Sequence, residues 1–171
     1  MNNDYLEKNA VISECRTYRY TLSRVWDTNF PKLGIVMLNP SRADALKDDP
    51  TIRRCVGFAK RWKFGSLVVV NVYSARLTNP EYLQIIGEPI GPETERYFKE
   101  SLTDAEMVLL AWGSNIKGNQ AAHAIQWLQE VNTNGKRFVH LGLTKDGQPK
   151  HPLYIKSDTV PQPFNFERYG K

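Results

Sequence analysis

Four short strand-like runs punctuate the chain: the apolar Leu33–Leu38, Leu67–Val70 and Met107–Ala111, and Arg137–Leu141. Each is bounded by polar or turn residues and lacks the polar alternation of a half-exposed strand, the pattern of strands buried on both faces. Between the runs the apolar spacing becomes helical. Asp49-Pro50 supplies an N-cap and a first-turn proline, and Ile52, Cys55, Val56, Ala59 and Trp62 follow on one face, with Gly65 closing the unit. Pro80–Ile86 and Pro92–Leu102 read as helices, the second carrying Tyr97, Phe98 and Leu102. Lys117–Val131 reads as a helix with Ala121, Ile125 and Leu128 inward, and Lys145-Asp146-Gly147 as a turn. Arg16–Val25 alternates, with Tyr18, Tyr20 and Leu22 on one side and Thr17, Arg19 and Thr21 on the other, which predicts a half-buried strand. The polar first residues are expected to be loosely ordered, and the tail from Pro161 to Lys171 to pack irregularly over the domain.

Strands alternating with helices predict an α/β fold. The expected architecture is a three-layer α/β/α sandwich around a central, mainly parallel, four-stranded sheet, with right-handed crossovers and an additional antiparallel strand near the N-terminus. The 171 residues suit a single domain, 1–171, with its core at about 16–160. Hydrophobic residues make up 41% and charged residues 24%, an ordinary globular balance that excludes collagen, coiled coil and a disordered tail. No apolar run approaches a membrane span, and Met1-Asn2-Asn3-Asp4 does not open a secretory signal, so a cytoplasmic protein without membrane association is expected. Cys15 and Cys55 are expected as small buried hydrophobes, too few for a four-cysteine cluster or zinc site. His140 reads as a core residue and His123 as helix surface, neither with metal-ligand spacing, so no metal and no cofactor is expected. The net charge of +5 leans toward a polyanionic partner. Arg53, Arg54, Lys60, Arg61 and Lys63 form the densest basic group, a solvated helix face or a contact surface for such a partner.

In open α/β sheets ligands bind beyond the carboxyl ends of the strands, so the residues after each run are the candidates. After the first come Asn39-Pro40-Ser41-Arg42-Ala43-Asp44 and then Asp48-Asp49. After the second comes Asn71-Val72-Tyr73-Ser74-Ala75-Arg76, after the third Trp112-Gly113-Ser114-Asn115, and after the fourth, past the turn, His151-Pro152. Polar, hydrogen-bonding side chains thus gather at one edge of the expected sheet. Neither G-x-x-x-x-G-K-[ST], G-x-G-x-x-G nor G-x-S-x-G occurs.

This ordered set resembles the uracil-DNA glycosylase superfamily. Leu38-Asn39-Pro40 is similar to its catalytic Asp/Asn-Pro motif, in the Asn-Pro form of the mismatch-specific enzymes. Val70-Asn71 is similar to the strand-terminal Asn that reads the base, Leu109–Ser114 to its Trp-Gly segment, and His151-Pro152 to its final loop. Leu153-Tyr154-Ile155 stands where that superfamily carries Ser and a DNA wedge, and is compatible with a strand instead. The fuller strings LNPSRADA, DDPTIRR, NVYSARLTNP, AWG and KDGQPKHPLY resemble a bacterial and phage family, domain of unknown function sixteen forty-three, over about residues 16–160.

The superfamily resemblance implies hydrolysis of an N-glycosidic bond, releasing a base from DNA or from a nucleotide. Asn39 then positions water, and His151 donates to the developing charge on the leaving base. An amide is a poor general base, so Asp44, Asp48 or Asp49 is the candidate for the missing negative charge, Asp49 also reading as a helix N-cap. Asn71, with a donor and an acceptor on one plane, suits a base edge. Tyr73, Phe58 or Trp62 can offer a stacking face, with Trp112 packed beneath the site beside Gly113 and Ser114. Pro40, Ser41, Arg42 and Arg76 complete the expected substrate contacts. Arg42 and Arg76, with Lys117, Lys145 and Lys150, are available for phosphates. The alternative is a non-catalytic module that binds a nucleotide or nucleic acid in the same pocket.

Overall fold

A computed structural model describes residues 5–79, 81–82, 85–116, 119–132 and 135–169. In chain order the strands are β1 (Glu7–Ile12), β2 (Arg19–Val25), β3 (Lys32–Met37), β4 (Ser66–Asn71), β5 (Met107–Leu110), β6 (Arg137–His140) and β7 (Gln162–Pro163). The helices are α1 (Pro50–Arg61), α2 (Thr94–Thr103) and α3 (Ala122–Glu130). All strands join one seven-stranded mixed sheet in the order β1-β2-β4-β3-β5-β6-β7. β3 pairs in parallel with β4 and β5, and β5 with β6, whereas β1, β2 and β7 are antiparallel additions.

The sheet is therefore larger than the four strands plus one expected from the sequence. β1 carries no apolar strand pattern in its first half, where Glu7, Lys8 and Asn9 are exposed. An edge strand of this kind is held by its backbone ladder and needs no apolar alternation. β2 was expected to be half-buried, yet Arg19 and Thr21 of its polar side are buried, and so is Arg24 on the side of Tyr20 and Leu22. The loop between β3 and α1 reaches β2 and offers the Ala43 carbonyl to Arg19 and the Asp44 carbonyl to Arg24. The tail is also more regular than expected. Gln162-Pro163 pairs with β6, Phe164 is buried and a 3₁₀ turn covers Phe166–Tyr169.

The helices follow the apolar spacing where it is strong. Asp49 caps α1 through a 2.8 Å bond from the Ile52 amide, and Pro50 occupies its first turn. At Gly65 an added Cβ would lie 1.8 Å from the Asp27 carbonyl oxygen. The chain leaving α1 thus passes the β2–β3 connection at a distance only glycine permits. α3 starts at Ala122 rather than Lys117, which lies outside the described residues. Of the expected helix Pro80–Ile86, residues 80, 83 and 84 lie outside them as well, and Glu81-Tyr82 form a 3₁₀ turn. Cys55 is buried as expected, but Cys15 is exposed. His123 is half-buried rather than on the surface, its Nε2 2.7 Å from the Val72 carbonyl oxygen.

Two apolar clusters define the layers. Leu33, Ile35 and Met37 of β3 pack with Ile52, Cys55 and Phe58 of α1. Val36 and Leu38 pack on the opposite face with Phe98 and Leu102 of α2 and Leu128 of α3. The connection leaving β3 therefore enters the α1 layer, while that leaving the adjacent β5 enters the α3 layer. Two neighbouring strands whose exits diverge leave a crevice between them, the position where open α/β sheets hold ligands. No described helix is long and apolar enough to cross a membrane.

Candidate functional site

A cavity of about 460 Å³ opens at that crevice, inside the roughly 300–1,000 Å³ range of small-molecule sites. Asn39, Ser41 and Asp49 line it from the β3–α1 connection, and Asn71 from the end of β4. Trp112, Gly113, Ser114 and Asn115 line it from the segment after β5, and His151 with Leu153 and Tyr154 from the long connection after β6. Segments distant in sequence meet here because the parallel pairing brings the carboxyl ends of their strands to one edge; Met37 and Asn71 are direct partners in the ladder.

Asn39 and His151 are each held in a definite hydrogen-bonding state. The Asn39 Nδ2 donates to the carbonyls of Pro40 (3.0 Å) and Leu77 (2.9 Å). Two carbonyls facing one end of a carboxamide identify that end as nitrogen, so Oδ1 is left as an acceptor. Leu77 N returns a bond to the Pro40 carbonyl at 3.0 Å, which braces the two loops against each other. The His151 Nδ1 accepts from Leu153 N at 3.3 Å, capping the 3₁₀ turn Pro152–Tyr154. In the neutral ring an accepting Nδ1 puts the proton on Nε2. Burial lowers the His151 pKa below its ordinary value, against the pull of the Asp49 charge, and so favours this neutral form. Gly113 holds φ at +80°, and a Cβ there would stand 3.2 Å from the His151 Cβ. The glycine thus serves both the turn and the close approach of the histidine loop. Trp112 is buried beneath the site, its Nε1 bonded to Gln148 Oε1 at 2.8 Å.

The three aspartates separate clearly. Asp49 lines the cavity, with Oδ1 on the Ile52 amide and Oδ2 accepting from Ser41 Oγ at 2.7 Å. Asp44 does not line it. Its Oδ1 closes a turn on the amides of Leu46 and Lys47, and these bonds hold its pKa down. Asp48 also lies outside the lining; it accepts from Tyr5 Oη at 2.6 Å and pairs with the fully buried Arg24 at 2.8 Å. Asp44 and Asp48, expected as sources of catalytic charge, are thus engaged in holding the β3–α1 loop.

Four expected substrate contacts also fall outside the lining. Pro40 is buried and contributes its carbonyl, and Arg42 is exposed away from the cavity. Tyr73 bonds the Gln120 carbonyl and packs on His123. Arg76 reaches toward the Arg16 carbonyl at 3.5 Å. Phe58 belongs to the α1 core, Trp62 packs against that core, and neither reaches the cavity. Leu153-Tyr154 form the 3₁₀ turn rather than a strand, with Tyr154 89% exposed at the cavity.

Two cavity groups lack partners. The Asn71 side chain is 3% exposed and its Oδ1 has no hydrogen bond. Arg19, at the start of β2, is also 3% exposed; Nη1 bonds the Ala43 carbonyl at 2.8 Å, but Nε is buried without a partner. Burial lowers the Arg19 pKa to about 10, with Asp49 opposing, which leaves it a cation at neutral pH. Sequence alternation placed Arg19 on a solvent-facing side of its strand. Nothing in its local pattern signals the cavity, because the wall is completed by a loop from elsewhere in the chain.

No curated protein and no solved structure matches the chain. One family, described as "Protein of unknown function (DUF1643)", matches residues 19–153, a span that contains every cavity-lining residue except Tyr154. The chain belongs to that family of proteins of unknown function.

Proposed function

We propose that the cavity binds a nucleobase and hydrolyses its N-glycosidic bond, with a fold and motif order like those of the uracil-DNA glycosylases. The observation that carries this reading is the pairing of opposite hydrogen-bonding roles around one cavity. Asn39 presents an acceptor while its donors are fixed elsewhere, and His151 presents a neutral donor while its acceptor is fixed elsewhere. Water held by Asn39 Oδ1 attacks the anomeric carbon. The electron pair of the breaking C–N bond leaves with the base, where the His151 Nε2–H stabilises the charge gathering on a base oxygen. The water proton leaves to solvent. Asp49 supplies the negative charge that the electron-poor sugar needs in the transition state, since Asn39 has none. The unpaired Asn71 Oδ1 accepts a base N–H.

The test uses single- and double-stranded oligonucleotides carrying uracil, a thymine mismatch, a hydroxymethyl base or a deaminated purine, together with the corresponding free nucleotides. Base release is read by alkali-revealed strand breaks and by chromatography. The comparison variant is His151→Asn, whose Oδ1 can still cap Leu153 N while the Nε2 donor is gone. Release by the wild type, reduced at least about a hundredfold in the variant, supports the reading. No release from any substrate, or equal release by both proteins, rejects it.

A further inference from the structure

The cavity wall holds a buried cation that has no ion-pair partner among the described residues. Arg19 is 3% exposed, one nitrogen bonds a neutral carbonyl, Nε has no partner, and no carboxylate lies within ion-pair distance among the described residues. The Asp49 and Asp44 charges act on it through space without forming an ion pair; Asp49 accepts from the Ile52 amide and the Ser41 hydroxyl, and Asp44 from the Leu46 and Lys47 amides. A buried charge without a counter-charge is costly, and an anion entering the cavity would relieve that cost. Asn71 lines the same cavity, and its Oδ1 is likewise buried and unpartnered. The two orphan groups ask for one ligand with a negative charge and a hydrogen-bond donor.

The anion must itself enter the cavity, because Arg19 is almost closed to outside solvent. A nucleotide flipped out of a polynucleotide enters base first and leaves its two phosphodiesters on the continuous backbone. A mononucleotide is not restricted in this way. Its phosphate monoester carries up to two charges, and a guanidinium can meet it through two parallel N–H groups.

We propose that the preferred ligand of this site is a nucleoside monophosphate, with Arg19 binding its phosphate and Asn71 its base. This rests on the cavity being a nucleobase site, as argued above, and narrows the substrate from nucleic acid in general to the free nucleotide.

Calorimetric titration of the whole chain with each common nucleoside 5′-monophosphate, the matching nucleoside and inorganic phosphate tests it. An oligonucleotide with only internal phosphodiesters forms the polymer arm. At least one monophosphate is expected to bind about thirtyfold or more tightly than its nucleoside and than the oligonucleotide, and Arg19→Met should abolish that preference. Equal affinity for nucleoside and monophosphate, tighter binding of the oligonucleotide, or a preference that survives in Arg19→Met overturns the proposal. The wild-type comparison decides even if Arg19→Met fails to fold. Free base is assayed in the same samples. Monophosphate binding without base release rejects hydrolysis and leaves the Arg19 assignment standing. Base release from the oligonucleotide without monophosphate preference does the reverse, and binding of none of the probes rejects both.

Discussion

Two buried arginines leave the same strand five positions apart and meet different fates. Arg24, wholly buried, is paired with Asp48 and bonds the carbonyls of Asn9, Ser23 and Asp44. Arg19 bonds one carbonyl, that of Ala43, and leaves Nε without a partner beside the cavity. Both arginines hold the β3–α1 loop, since they grip consecutive carbonyls of it. Only Arg24 is given the counter-charge that makes burial tolerable. The contrast is one of pairing: Arg24 is ion-paired with Asp48, whereas Arg19 and Asn71 at the cavity each keep an unpartnered atom, as the Nε atoms of Arg54 and Arg76 do outside it.

The largest effect should come from breaking the Arg24–Asp48 pair. Arg24→Met leaves the Asp48 carboxylate buried without its cation, and a loss of about 3–5 kcal/mol in unfolding free energy is expected. Arg19→Met removes one hydrogen bond and a charge with no ion-pair partner among the described residues, so its change should stay within about 1 kcal/mol. Urea unfolding of the two variants checks this, and equal losses would erase the distinction.

Asp49→Asn sharpens the comparison at the cavity. Asparagine caps a helix about as well as aspartate, so stability should shift by less than about 1 kcal/mol. Base release should fall at least about a hundredfold, because the charge that assists the sugar is gone. Unchanged release would leave Asp49 only its capping role.

These distinctions also show where the sequence was readable. The buried strands announce themselves because burial on both faces demands unbroken apolar runs, and the residues following them reach the cavity edge by topology. Asp49 was legible as a cap because Asp-Pro before a helical apolar pattern has a local cause. Asp44 and Asp48 were not separable from catalytic carboxylates. The role of Asp44 is a local turn on the Leu46 and Lys47 amides that any loop aspartate can make, and that of Asp48 depends on Tyr5 and Arg24, which approach from a different part of the chain. Arg19 was hidden for the same reason, since alternation gives the side of a strand but not the loop that covers it. β1 was hidden because edge pairing is a backbone affair and leaves little mark on side-chain pattern.

A smaller effect is expected at Asn71. Replacing it by Leu removes a buried acceptor that has no partner, so stability should be unchanged or higher by up to about 1 kcal/mol, while nucleotide binding is lost. Thermal unfolding with and without nucleotide reads both. A marked loss of stability would assign Asn71 a structural role.

The smallest effect is in pH. Burial lowers the pKa of His123, His140 and His151 in the folded chain. Below about pH 6.5 the unfolded chain takes up protons that the folded chain resists, so stability should decline as pH falls through that point. Asp44, whose folded pKa is depressed, loses its contribution only in the more acid carboxylate range. His151→Asn should flatten the first decline in part, and an identical profile would exclude His151 from it.

The most direct test is a crystal structure of the chain bound to the nucleoside monophosphate selected by titration. A phosphate oxygen is predicted within about 2.7–3.2 Å of Arg19 Nε or Nη2, and a base N–H at the same distance from Asn71 Oδ1. A nucleotide bound elsewhere, with Arg19 Nε and Asn71 Oδ1 still unpartnered, would contradict the account.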